Sequence, residues 1–178
     1  VLNITQDDNS DILWEELSNA LEEAIANLLE AKEAEGKKLA EDMINRLELI
    51  NENILNISQY STGLIDQYVV KLKDRIKEML QTDIVDEARI SQEVVLYADK
   101  TSIEEEITRL KSHIVQFKEL LQSESIKKAG KRLDFIIQEM NREVNTIGSK
   151  SNCLEITNLV IELKTELEDV REQVQNIE

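Results

Sequence analysis

The chain has 178 residues, no proline, four glycines, 3% aromatic residues and a formal net charge of −16. This excludes a β-sandwich or an α/β enzyme, which need turn residues and β-branched or aromatic strands. It also argues against global attraction to nucleic acid, which Lys and Arg drive. What remains is an all-α protein of one or two domains, built from long helices and large enough to bury a core.

Residues 1–10 are polar and expected to fray, with Ser10 or Asp11 capping a first helix over about 11–58. Leu39, Met43, Leu47, Ile50, Ile54 and Ile57 advance by threes and fours, as a buried stripe does. The helix's length predicts coiled-coil packing, and Gly36 softens it. QYSTG at 59–63 reads as a turn. A helix over about 63–81 then returns antiparallel, with Leu64, Ile65, Tyr68, Leu72, Ile76 and Met79 on one face. A break near Thr82 and Asp83 leads to a shorter helix over about 86–98.

Thr101 with Glu104, or Ser102 with Glu105, forms a capping box for a helix running to about 122. QSESIKKAG, 122–130, is a loop with a basic end. The next helix covers about 130–148 and is interrupted by Gly148 and Ser149. Asn152 with Glu155 can cap a last helix carrying Ile156, Leu159, Leu163, Leu167, Val170, Val174 and Ile177. No repeat recurs at a fixed period. The predicted organisation is a long helical hairpin, a coiled-coil-like arm over 1–82, followed by a helical bundle over 83–178. Trp14 and Tyr60 are read as packing residues of a core or interface, not as stacking platforms.

The single cysteine, Cys153, cannot close a disulfide within the chain and fits a reducing, intracellular setting. No run of about 18 apolar residues is present to span a membrane. No basic-then-apolar leader opens the chain, and the start at Val1, without Met, suggests a fragment or a processed chain.

Charge is unevenly spread. Residues 109–150 hold nine basic and five acidic residues, a balance of +4, which leaves −20 for the remainder. The basic region surrounds RLDFIIQEMNREVNT, residues 132–146. Such asymmetry fits a local anion-binding surface on an acidic scaffold, or basic helices paired with acidic neighbours.

At about 100° per residue, Leu133, Ile136, Ile137, Met140, Val144 and Ile147 form a core stripe on this helix. Arg132, Glu139, Arg142, Glu143, Thr146 and Lys150 fall on a second face, and Asp134, Gln138, Asn141 and Asn145 on a third strip. Glu139 and Glu143, one turn apart, can hold a divalent cation such as Mg²⁺ or Mn²⁺, which keeps waters and recruits phosphate oxygens. Arg132, Arg142 and Lys150 can hold a phosphodiester, and the amides of Asn141 and Asn145 suit base edges or 2′-hydroxyls. The competing account is a solvated face of intrahelical ion pairs. The asparagines weigh against it, because they are poor helix formers that a merely soluble helix does not need. His113, the only histidine, is a base near neutral pH or a packed side chain. His and Cys are too few for a zinc site, and no Gly-rich phosphate loop is present.

Several blocks resemble one family. EAEGKKLAEDMINRL, DEARISQEVVLYADKTSIEEEITRLKSHIVQF, GKRLDFIIQEMNREVNTIGSKSN and the terminal VIELKTELEDVREQVQNIE closely resemble the C-terminal part of the YicC/YloC family of bacterial endoribonucleases. The resemblance covers nearly the whole chain, and nothing in it resembles the family's additional N-terminal domain.

The resemblance implies divalent-metal-dependent cleavage of RNA by a cytoplasmic homo-oligomer, hexameric for the intact family protein, whereas this chain alone can dimerise. It implies an active surface made of Arg132, Asp134, Gln138, Glu139, Asn141, Arg142, Glu143, Asn145, Thr146, Ser149 and Lys150, with Glu106, Arg109 and His113. Lys131 and Arg132 match the family's basic pair.

The mechanism expected has Glu139 and Glu143, with Asp134 or Glu106, holding one or two metal ions (Mn²⁺ or Mg²⁺). Arg132, Arg142 and Lys150 stabilise the phosphorus-centred charge, and His113 shuttles a proton. RNA contacts are expected from Arg109, Lys131, Arg132, Gln138, Asn141, Asn145, Thr146, Ser149 and Lys150. The other classes open to the sequence are a non-catalytic oligomerisation scaffold and an RNA-binding adaptor.

Overall fold

The fold is that of a computed structural model, which describes the backbone of residues 10–80, 86–122 and 130–175 and the side chains of 12–79, 86–122 and 130–175. Among the described residues there are six helices: α1 Ser10–Thr62, α2 Leu64–Leu80, α3 Glu87–Thr101, α4 Glu104–Gln122, α5 Gly130–Lys150 and α6 Leu154–Gln175. No strand occurs among the described residues. The all-α expectation therefore holds. Among those residues, no helix is long and apolar enough to cross a membrane.

The chain divides into two compact units, Val1–Glu41 and Asp42–Glu178, and the division falls within α1. The boundary expected between residues 82 and 83 falls within residues 81–85, outside the described ones. In the first unit, Leu13, Trp14, Leu17, Leu21, Ile25 and Leu28 are all exposed. Trp14 is thus not a core residue of this chain, and neither is the exposed Tyr60.

The second unit buries four stripes. Met43, Leu47, Ile50, Ile54 and Ile57 come from α1, and Ile107, Leu110, Ile114, Phe117 and Leu121 from α4. α5 contributes Leu133, Ile136, Ile137, Met140, Val144 and Ile147, and α6 contributes Ile156, Val160, Leu163, Leu167, Val170 and Val174. The steps of three and four residues are those of helices meeting along a seam. Leu39 and Leu159 are only half-buried, and Val160 takes the core position expected of Leu159. Ile177 lies outside the described residues. Arg46 ties α1 to α6 through Glu166 at 3.0 Å and Asp169 at 2.8 Å, and Lys118 of α4 sits 3.7 Å from Glu48 of α1.

α2 packs on α3, where Tyr68 and Tyr97 stack with ring centroids 3.7 Å apart and planes 4° from parallel. The face expected on α2 is half-buried at Leu64, Tyr68, Leu72 and Ile76, whereas Ile65 and Met79 are exposed.

The helix boundaries differ from expectation where local hydrogen bonds replace the predicted signals. Helix α1 continues through Gln59–Thr62, because the hydroxyls of Ser61 and Thr62 donate to the Ser58 carbonyl inside the helix. The turn is reduced to Gly63, whose carbonyl accepts from Gln67. Asp86 caps α3, accepting from the N–H groups of Ala88 and Arg89. Neither predicted capping box opens α4. Thr101 ends α3 with its hydroxyl on Tyr97, and Ser102 is the α3 C-cap. The carbonyl of Ile103 accepts the first bond of α4, and Glu104, Glu105 and Glu106 place negative charge at that helix's N-terminus.

Gly148 and Ser149 do not interrupt α5, which runs to Lys150. At Gly148 the absent side chain allows close approach, since a Cβ there would lie 3.1 Å from Val160 Cγ1 of α6. Gly148→Leu is therefore expected to destabilise the chain by about 1–3 kcal/mol through overpacking, read as a lower urea midpoint at unchanged slope. Cys153 stands just before α6, its carbonyl accepting from Thr157, and its thiol donates to Glu155. That bond holds the Glu155 carboxyl below its usual range, so Glu155 pairs with Cys153 and not with Asn152 as a capping box would have it. The caps proposed at Ser10 and Asp11, and loop residues 123–129, lie outside the described side chains.

Candidate nucleic-acid interface on helix α5

Helix α5 lies between α4 and α6 and runs antiparallel to both: Lys150 meets Glu106 and Glu143 meets Arg109, while Asp134 meets Arg171 and Gly148 meets Val160. Its core stripe faces the bundle, so its polar arc is divided between two flanks. The division cuts across the single second face drawn from the helical wheel, because a wheel shows angle and not the positions of neighbouring helices.

On the α4 flank two carboxylates are buried and each meets a cation. Glu106 and Glu143 are each 5% exposed. Lys150 Nζ donates to Glu106 Oε1 at 2.7 Å and to the Ser102 carbonyl at 2.9 Å. Arg109 Nη1 lies 3.3 Å from Glu143 Oε1, and its Nη2 pairs with Glu105. Glu143 is the main cause that raises the Arg109 guanidinium's affinity for its proton, with Glu105 adding to it. His113, one turn beyond Arg109, has a buried Nδ1 without a partner among the described residues, and Glu106 Oε2 is in the same position.

On the α6 flank lies an open groove of about 870 Å³. Gln138, Asn141, Arg142, Asn145, Thr146 and Ser149 form one wall, and Lys164, Glu168 and Arg171 the other. All six α5 residues belong to the surface expected from sequence. The α6 wall was missed because the terminal helix was read only for its apolar stripe. Its signal was present, since positions 164, 168 and 171 are spaced i, i+4, i+7 on one face.

Three cations line the groove against one carboxylate. Arg171 is held 3.3 Å from Asp134 and 3.6 Å from Glu168, and Asp134 also accepts from Gln138 at 2.7 Å. Arg142 is 76% exposed in its side chain and 4.0 Å from Glu139. The hydroxyls of Thr146 and Ser149, which line the groove, donate to carbonyls of their own helix and keep their acceptor capacity. Guanidinium, ammonium and amide donors beside hydroxyl acceptors suit a ribose-phosphate chain, which offers phosphate oxygens and 2′-hydroxyls.

The four carboxylates expected to hold metal are dispersed. Glu106 faces Lys150, Glu143 faces Arg109, Asp134 faces Arg171 and Glu139 faces Arg142. Among the described residues, no three His, Cys, Asp or Glu groups gather as a metal site would require. The arrangement therefore does not fit a resident divalent metal held by the protein alone, since hard cations need converging oxygen ligands. Lys131 and Arg132 lie with Phe135 around a second pocket, farther along the α4 side of α5 and away from the groove and the Glu106–Lys150 seam.

Comparison with known proteins agrees with the resemblance read from the motifs. Residues 57–178 match the family model described as endoribonuclease YicC-like, C-terminal. The chain is 51% identical over 175 residues to a protein named probable endoribonuclease YicC in Clostridioides difficile (strain 630), a span of 97% of this chain. It is 30% identical over 173 residues, again 97% of this chain, to a protein of the same name in Haemophilus influenzae (strain ATCC 51907 / DSM 11121 / KW20 / Rd). The chain spans 59% of the length of each of these relatives. With a family match over most of its residues, this chain belongs to the YicC-like endoribonuclease family, and the region it represents is the C-terminal, helical one.

Proposed function

We propose that this chain carries the RNA-cleaving surface of an endoribonuclease, with RNA bound along the groove between α5 and α6. One observation carries the reading. The α5 amides and Arg142 are gathered opposite Lys164 and Arg171 in a single open channel on an otherwise acidic chain. Arg142, Lys164 and Arg171 neutralise phosphates, while Gln138, Asn141 and Asn145 meet 2′-hydroxyls and base edges. The 2′-hydroxyl attacks the phosphorus and gives its proton to Glu139. The bond to the 5′-oxygen breaks, that oxygen leaves with a proton from solvent, and Arg142 stabilises the charge building on the phosphate. Glu143 acts as a positioning residue through Arg109, and His113 is a proton carrier beside that seam.

The need for Mn²⁺ or Mg²⁺ that the family resemblance implies belongs to this proposal, as do a cytoplasmic setting and a homo-oligomer. The chain's own described residues bind and orient RNA in this reading, and no step in it depends on a metal held by the protein. The scaffold reading has its own support in the exposed apolar residues from Leu13 to Leu28 on α1, which a helix of a second copy can cover.

The test uses the full-length protein, a labelled single-stranded RNA, and Mn²⁺, Mg²⁺ or EDTA in separate arms. Cleavage with metal and none with EDTA is expected. Arg142→Ala with Lys164→Ala should cut at least about 10-fold more slowly, and each lost phosphate contact should flatten the salt dependence of binding by about 0.7 in log–log slope. Cleavage by the double variant at the parent's rate and with the parent's salt slope would sink the groove assignment. Binding without cleavage by the parent under every metal condition would leave the adaptor reading in its place.

A further inference from the structure

The chain has only two phenylalanines, and the helices treat them oppositely. Phe117 of α4 is fully buried, whereas Phe135 of α5 is 60% exposed. An exposed Phe gives no help to α5, because aromatic residues are mediocre helix formers.

Phe135 borders a pocket of about 470 Å³, within the range of small-ligand sites at about 300–1,000 Å³. Lys131 and Arg132, one turn back on the same helix, join it there, and Gln116 and Glu119 form the opposite wall on α4. Gln116 donates one amide N–H to Ser112 at 3.2 Å. The second pocket thus combines an aromatic face, two cations and polar groups of both kinds.

Its position ties it to the groove. Lys131, Phe135, Gln138, Arg142, Asn145 and Ser149 follow one another at steps of four and three residues, which places them on a single strip of α5. At 1.5 Å per residue the strip is about 27 Å long. Four of these six residues line the groove and the other two line the pocket. A strand bound along the groove is therefore led toward Phe135.

We infer that Phe135 is a stacking platform for an unpaired RNA base, with Lys131 and Arg132 holding the phosphates on either side of that nucleotide. A cation–aromatic–cation cluster is how proteins grip single strands without reading sequence, since every base has a π-face. The second pocket is thereby an extended subsite, beginning within one turn of α5 from the groove, since Phe135 and Gln138 are three residues apart. The inference rests on the proposed RNA-binding function and adds to it a preference for single-stranded over fully paired RNA at this end of α5.

The test measures binding of a short, labelled, mixed-sequence single-stranded RNA to the full-length protein by fluorescence anisotropy, in EDTA and at low salt. Phe135→Ala and Phe135→Leu should both weaken binding by about 10-fold or more, because leucine keeps apolar area but offers no ring. Phe135→Trp should keep the parent's affinity. In a Trp14→Phe background, the emission gained with Phe135→Trp over that background reports the introduced indole, and RNA should quench it, which a merely structural side chain would not show. An RNA with an abasic position should lose affinity for the parent but not for Phe135→Ala.

Parent affinity in Phe135→Ala, together with weakened binding by Arg142→Ala, would overturn the stacking platform and leave the groove standing. No RNA binding by the parent would overturn the proposed function and this inference with it. A lower assembled mass for Phe135→Ala by light scattering, at unchanged RNA affinity, would make the face a protein contact and also overturn the inference.

Discussion

Phe117→Ala is expected to lower the free energy of unfolding by about 3–5 kcal/mol, the usual cost of removing a buried aromatic side chain. For a chain of this size, that moves the thermal midpoint by roughly 10 °C or more. Phe117 is 0% exposed in the middle of the α4 stripe, with Ile114 above it and Leu121 below. The cost has two parts, the transfer of the ring to water and the void left among neighbours that relax only partly. Phe135→Ala supplies the internal comparison. It removes the same atoms from a surface position, and its effect on stability should lie within about 0.5 kcal/mol. Urea unfolding followed by helix ellipticity measures both. Equal losses from the two variants would mean that Phe135 is packed as Phe117 is, and would remove its reading as an open platform as well.

Sequence reasoning is strongest where burial follows the helical period. The apolar stripes of α1, α5 and α6 were legible because burial on a helix has one period, and the chain lacks proline to interrupt it within these helices. Met43 to Ile57 and Leu133 to Ile147 are core residues in the structure as in the pattern. The ends of helices were less legible. Gly148 and Ser149 carry the composition of a stop signal, yet they lie inside α5, because Gly148 is needed for the approach of Val160. Local composition cannot distinguish a glycine that ends a helix from one that lets a second helix come near.

The polar surface was legible as a list and not as an arrangement. Gln138, Asn141, Arg142, Asn145, Thr146 and Ser149 were all identified, and they do come together. Glu143 and Lys150 were grouped with Arg142 by angle, but α4 captures them for a buried seam. Lys164 and Arg171 are distant in sequence from the motif and became visible only when α6 was laid along α5. Pairing across helices is a tertiary fact, and a helical wheel does not contain it.

The seam on α4 makes the second large prediction. Lys150→Met should destabilise the chain by about 3–5 kcal/mol, because it strips the only partner, among the described residues, of a carboxylate that stays buried. Glu106 is 5% exposed, its Oε1 accepts from Lys150 at 2.7 Å, and its Oε2 has no partner among the described residues. With the ammonium gone, neither oxygen is satisfied, and the Ser102 carbonyl at the end of α3 loses its donor as well. The methionine keeps the length of the side chain, so lost packing contributes little. Glu106→Leu combined with Lys150→Met should recover most of the loss, because replacing both members of a buried pair by apolar groups of similar volume is often neutral or stabilising. A double-mutant cycle with Glu106→Leu and Lys150→Met read by urea unfolding gives the coupling directly. A single Lys150→Met variant as stable as the parent would show that water reaches Glu106. In that event the α4 flank of α5 would be open to solvent, and Lys150 would be available to a phosphate, as the groove cations are.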